Sequence, residues 1–224
     1  MKQRDICSTE DLHRALREKW HSHFLFRGED SASYALQPKF GRFQAQDPRN
    51  DVAMERSILG EFKRMATPFI QHVPENDWEW LALAQHFGLA TRLLDWTDNP
   101  LIAAYFATSK PSHEGDRVLY VLHTKQFRYA DPSNSPFDIR EVVLYKPKHI
   151  SARFSSRSGV FAVHNLPPQP FDDDRLERWL IKDDCSLELR MTLLSYGINE
   201  AFIFADLNGL AHYLNYMYIW GIVE

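Results

Sequence analysis

The sequence predicts an α+β fold in which a central mixed or antiparallel sheet is flanked by helices. Two observations lead there. Apolar residues recur at helical spacing in several segments, while short runs rich in Val, Leu and Tyr lie between them without a regular strand-helix alternation, which a doubly wound sheet would need. The chain has 224 residues and 44% hydrophobic content, enough for one ordinary core. This predicts a single domain over 1–224, with an N-terminal helix at about 8–20 and a core from about 21. No internal repeat or low-complexity stretch is present.

In chain order, Ser8 or Thr9 caps a helix carrying Leu12, Leu16 and Trp20 on one side. Phe24 to Arg27 reads as a strand that Gly28 ends, leaving Glu29, Asp30 and Ser31 in a turn. Residues 51–72 read as a helix whose inner face is Met54, Ile58, Phe62 and Met65. A further helix spans about 77–87 and stops at Gly88. An extended piece through Leu93 and Leu94 precedes a helix capped by Asp98 or Asn99, with Pro100 in its first turn and Ala103, Ala104 and Phe106 on its apolar side. Arg117 to His123, Glu141 to Tyr145 and Gly159 to Val163 have strand composition. His164 to Asp174, with Pro167, Pro168, Pro170 and three consecutive aspartates, is a loop. Leu187 to Ser195 reads as a helix bearing Glu188 on its surface, Ala201 to Ala205 as a last strand and Leu210 to Tyr218 as a last helix.

Charge and cysteine usage exclude some classes. A net charge of -4 gives no overall basic field for nonspecific nucleic-acid binding. Cys7 and Cys185 lack metal-ligand spacing and form no disulfide framework, the ten histidines are scattered, and no metal is expected. The N-terminus has no signal-type apolar run and no segment is long enough to cross a bilayer, so the expected setting is cytoplasmic, without a membrane partner. No glycine-rich phosphate loop, nucleophile elbow or HExxH motif occurs.

The polar cluster between Trp80 and Ala107 is harder to explain by packing. A buried strand should be a plain apolar run, yet Thr91, Arg92, Asp95, Trp96 and Thr97 interrupt this one. Buried polar groups must be paired or serve a ligand. Strand alternation sets Thr91, Leu93, Asp95 and Thr97 on one face and Arg92, Leu94 and Trp96 on the other. Arg27 is either a fork for phosphate or carboxylate or the partner of Glu29, Asp30 or Asp95. Asp95 either lines a cleft or pairs with Arg27 or Arg92, while Thr97 and Asp98 cap the next helix. His86 is an acid-base candidate or an ordinary helix-end residue. Gln85 suits hydrogen bonding to an amide or ribose. Asp206 is a catalytic carboxylate or a helix N-cap.

Three segments resemble the FRG domain family. They are Phe26-Arg27-Gly28; QHFGLATRLLDWTDNPLIAAYFA, from Gln85 to Ala107; and GINEAFIFADLNGLAHYL, from Gly197. The stretch Arg153 to Phe161 is also similar to the family, with Arg157 in place of a glutamine. In the third segment Asn208 replaces an aspartate and Ala205 a proline.

A shorter element, FLFRG, resembles the Arg-Gly first strand of the ADP-ribosyltransferase superfamily. That similarity implies an ADP-ribosyltransferase-like fold and an enzyme that consumes NAD as co-substrate, with a protein or nucleic acid as acceptor. A toxin or antiviral effector fits that class. The oxocarbenium cation formed as nicotinamide leaves needs a carboxylate, from Asp95 or Asp206, and the pyrophosphate needs Arg27. Thr91 and Thr97 would contact ribose or nicotinamide, and Trp96, Tyr105 or Phe106 would stack on the ring. The superfamily's late glutamate motif has no clear counterpart. Two other readings stay open. Arg27, Arg92, Arg153 and Arg157 with nearby aromatics would make a non-catalytic nucleotide or nucleic-acid binding module. Arg27, His86 and Asp95 would make a metal-free nuclease.

Overall fold

The strands pair into one seven-stranded sheet. The computed structural model describes residues 1–19, 23–47, 49, 51–109, 115–147 and 159–219. The strands are β1 (Lys2–Ile6), β2 (Phe24–Glu29), β3 (Leu93–Thr97), β4 (Arg117–His123), β5 (Val143–Tyr145), β6 (Gly159–Val163) and β7 (Leu176–Ile181). Their order is β1-β7-β4-β2-β3-β6-β5, with β1 parallel to β7 and every other pair antiparallel. The helices are α1 (Thr9–Arg17), α2 (Lys39–Gln46), α3 (Val52–Ala66), α4 (Asp77–His86), α5 (Pro100–Ala107), α6 (Asp183–Ser195), α7 (Glu200–Phe204) and α8 (Leu207–Tyr218). The expected α+β class holds.

The local signals explain most boundaries. Ser8 accepts from the Asp11 N–H to cap α1, and Asn99 accepts from the Leu101 N–H to cap α5, as the N-cap rule requires. Gly88, at φ 87°, follows the end of α4 in a conformation that suits glycine. Pro68 lacks an N–H, and α3 gives way to a 3₁₀ turn at Thr67–Phe69.

Several expectations are corrected. Ala201 to Ala205 is not a strand: Asn199 caps α7 by accepting from the Phe202 N–H, and Ala205 closes it at φ 46°. Glu200 therefore opens a helix. The inner face of α3 is rotated from the expected one, with Glu55, Leu59 and Ala66 buried while Met54 and Met65 are exposed. Three elements escaped the sequence reading. β1 is a polar edge strand, β7 carries Glu177 and Arg178 in its middle, and α2 contains Gly41 and has no side-chain cap. Trp20, Arg153 and Arg157 lie outside the described residues.

The sheet divides in the middle. β2 pairs with β4 from Phe24 to Glu29, but meets β3 only at Phe26 opposite Thr97. On one face, two apolar cores flank this parting. Phe26, Leu119, Val121 and Trp179 pack against α1, α5 and α6 on one side, and Leu93, Phe161 and Val163 pack against α3 and α4 on the other. The opposite face buries Leu25, Leu94, Trp96 and Tyr120 under Leu36 and Phe171 of the loops. Strand alternation places Gly28 on the helix-covered face with Phe26, and Arg27 on the loop-covered face with Leu25.

Gly28 does not end β2. It lies inside the strand, where α5 approaches closely: a Cβ there would stand 1.8 Å from the Ala103 carbonyl oxygen and 2.6 Å from the Ala107 nitrogen. Both atoms are backbone, so α5 as a whole must move. Gly28→Ala is expected to cost about 3 kcal/mol, the upper end of ordinary overpacking. The urea midpoint of the purified variant measures this, and an unchanged midpoint would show that α5 does not pack on β2.

Candidate functional site

The site begins with the missing ladder between β2 and β3. Continuing their register would set Gly28 against Asp95, but the Arg27 side chain reaches the Asp95 carbonyl instead, with Nη1 donating at 2.8 Å. The same guanidinium donates from Nε at 2.9 Å and Nη2 at 2.6 Å to Glu29 Oε1. Its Nη1 lies 3.9 Å from Asp95 Oδ2. Burial works against the Arg27 charge, but the Glu29 carboxylate and then Asp95 outweigh it and raise its pKa above the ordinary value. Arg27 is therefore both an internal ion-pair partner and a bridge across the parted strands.

A cavity of about 380 Å³ opens at this parting. Arg27, Glu29 and Asp30 supply its charged edge with Asp95. Gln85 and His86 at the end of α4, Thr97 of β3, and Ser109 just after α5 add polar groups. Ile102, Ala103 and Phe106 of α5 and Phe161 of β6 form its apolar walls. The volume falls in the range of small-molecule sites, and a few convergent polar groups on apolar walls are their usual composition.

Asp95 presents the most exposed carboxylate among the residues lining the cavity. Its side chain is 56% exposed, although the strand around it is buried. Gln85 Nε2 donates to Asp95 Oδ2 at 2.8 Å. Gln85 Oε1 accepts from Thr91 Oγ1 at 2.7 Å, and Thr91 Oγ1 accepts from the Leu93 N–H at 3.2 Å. Thr97 lines the cavity and also accepts from the Asn99 N–H, so it joins β3 to the cap of α5.

Other residues singled out from sequence lie elsewhere. Arg92 is fully buried and closed by Glu55: Nε and Nη2 donate to Glu55 Oε2 at 3.0 and 2.6 Å, and Nη1 donates to the Pro136 and His164 carbonyls. Its partner is Glu55 rather than Asp95. Thr91 is buried behind Gln85. The Trp96 ring is in the core of the loop-covered face, with no hydrogen-bond partner for its Nε1, although the residue also lines the cavity. Tyr105 is buried under α6, where Arg190 lies over its ring and pairs with Glu200; burial and then Glu200 raise the Tyr105 pKa. Asp206 caps α8 through the Gly209 N–H at 2.7 Å and does not line the cavity.

Residues 22–116 match the family model of the FRG domain. This part of the chain is an FRG domain. The match runs from just before β2 to just before β4. It includes Arg27, Gln85, His86 and every described cavity residue except Gly159 and Phe161. The segments around Arg153 and after Gly197, which resemble the family in sequence, lie beyond it. No curated protein and no solved structure matches the chain. Among the described residues, no helix is long and apolar enough to cross a membrane, and no cluster of three His, Cys, Asp or Glu side chains is arranged to hold a metal ion.

The sequence reading missed His164, the residue after β6, whose backbone exchanges hydrogen bonds with Arg92. Its side chain is buried against Phe171, and Nε2 has no hydrogen-bond partner. Burial, with the Arg27 and Arg92 charges adding to it, pushes the imidazole pKa down from 6.5 to about 3. The folded value is below the unfolded one, so the unfolded chain takes up the proton first. The His164 contribution is complete above about pH 6.5 and is lost as pH falls towards 3, by at most about 1.4 kcal/mol per unit. His164→Leu should flatten that part of the stability-pH profile. Equal slopes in the two proteins would contradict the assignment.

Proposed function

We propose that the cleft of this FRG domain binds the nicotinamide end of NAD and breaks the glycosidic bond to nicotinamide, passing ADP-ribose to water or to a protein or nucleic-acid acceptor. The observation that carries this reading is the Asp95 carboxylate, held by Gln85 near Arg27 yet open to a cavity walled by Phe106 and Phe161. As nicotinamide leaves, positive charge grows on the ribose anomeric carbon. A fixed carboxylate in a partly dry cleft stabilises that charge more than it stabilises the bound substrate. Phe106 and Phe161 offer apolar surface to the ring.

Charge also favours this end of the dinucleotide. Glu29, Asp30 and Asp95 face the cavity with Arg27, whose fork is largely committed to Glu29 and the Asp95 carbonyl. The oxidised nicotinamide ring is cationic and suits that balance, whereas a phosphate would meet three carboxylates. The balance argues against the nuclease reading in the same way. Arg27 therefore serves as an organiser of the Asp95 strand rather than as a phosphate fork.

The test is nicotinamide release from NAD by purified protein, alone and with cell lysate or nucleic acid as acceptor. Release or labelling of an acceptor is expected. Absence of turnover in every condition would remove the enzyme reading. If NAD then still raised the melting temperature, the cleft would be a nucleotide-binding module.

A further inference from the structure

We propose that Thr91 and Gln85 form a positioning relay that fixes the orientation of the Asp95 carboxylate, and that neither needs to touch the substrate to do so. The hydrogen-bond polarity permits one arrangement. Thr91 Oγ1 accepts from the Leu93 N–H at 3.2 Å, which leaves its single proton for Gln85 Oε1 at 2.7 Å. With its carbonyl so occupied, the Gln85 amide must turn its NH₂ outward, where it donates to Asp95 Oδ2 at 2.8 Å and to the Leu93 carbonyl at 3.5 Å. Thr91 is 0% exposed, so water cannot replace its hydroxyl. A Gln85 amide flipped the other way would set its carbonyl against the Asp95 carboxylate and the Leu93 carbonyl, two groups that only accept.

This arrangement matters because Asp95 has little else to hold it. Its side chain is more than half exposed, and Arg27 Nη1 at 3.9 Å is beyond hydrogen-bond reach. The relay joins the end of α4 to the start of β3, so the buried backbone around Leu93 dictates where an exposed carboxylate points. Its kinetic consequence rests on the proposed NAD chemistry; its geometry does not.

Thr91→Val keeps the side-chain shape and removes the proton. It should lower kcat for nicotinamide release by about 10- to 100-fold with KM nearly unchanged, since small misplacement of a reacting group costs that much. Thr91→Ser should restore the rate. Gln85→Asn, too short to span both partners, should behave like Thr91→Val and sits on a more tolerant helix end. In parallel, the Asp95 carboxyl resonance in protein carrying ¹³C-labelled aspartate should move in Thr91→Val and Gln85→Asn and return in Thr91→Ser. Unchanged kcat and an unmoved resonance in Thr91→Val would overturn the relay. If the wild type cleaves no NAD, the proposed activity fails and the resonance alone decides: movement supports the relay, and no movement overturns it.

Discussion

Glu55→Ala is expected to cost about 3–5 kcal/mol of stability, because it strands the Arg92 guanidinium in the core without its counter-charge. Arg92 is 0% exposed and Glu55 2% exposed, and Glu55 receives the Arg92 backbone N–H as well as two guanidinium bonds. The pair ties α3 to the residue before β3, and the Arg92 face also lies over the Phe137 ring. Removing one partner leaves a buried charge that the Pro136 and His164 carbonyls only partly satisfy. The double variant Glu55→Ala with Arg92→Leu should be more stable than Glu55→Ala alone, since an apolar pair has no charge to desolvate. Urea unfolding of the three proteins measures this. A double variant no more stable than Glu55→Ala would show that the pair is not a closed unit.

Asp95→Asn should have the opposite profile. The side chain is exposed, and asparagine can still accept from Gln85, so the melting temperature should hardly change. Nicotinamide release should nevertheless fall by about 100- to 1,000-fold, the usual effect of removing one group that faces developing charge. Arg27→Ala is a poorer test of chemistry, because it also deletes the bonds to Glu29 and to the Asp95 carbonyl. A rate in Asp95→Asn close to that of the wild type would move the chemistry to another residue.

The contrast between Arg92 and Asp95 shows what sequence reasoning could reach. The polar interruption between Trp80 and Ala107 pointed to both, and alternation placed Leu93 and Asp95 on the face opposite Leu94 and Trp96; Leu93 packs on the α4 side, where Gln85 also reaches Asp95, and Leu94 and Trp96 pack on the other. What separated their roles was Glu55, 37 residues earlier on a helix whose apolar positions suggested a different inner face. A buried ion pair overrode that periodicity. Gly28 was legible as special but not for its reason, since α5 lies above it and no local signal reports a helix from elsewhere in the chain. Asp206 was recognisable as a cap, whereas the short helix before it was hidden by Phe202, Ile203 and Phe204, whose composition suits a strand. His164 carried no motif, and its meaning comes from burial alone.

The central claim is that the parting of β2 and β3 at Arg27 and Asp95 is a ligand cleft for the nicotinamide end of NAD. Titrating NAD into ¹⁵N-labelled protein and following backbone amide resonances tests it directly. Shifts should cluster on Gly28, Asp95, Thr97 and Phe106 around the cavity. Shifts confined to other surfaces, such as the Asp172–Arg175 loop, or no shifts at saturating NAD, would contradict it.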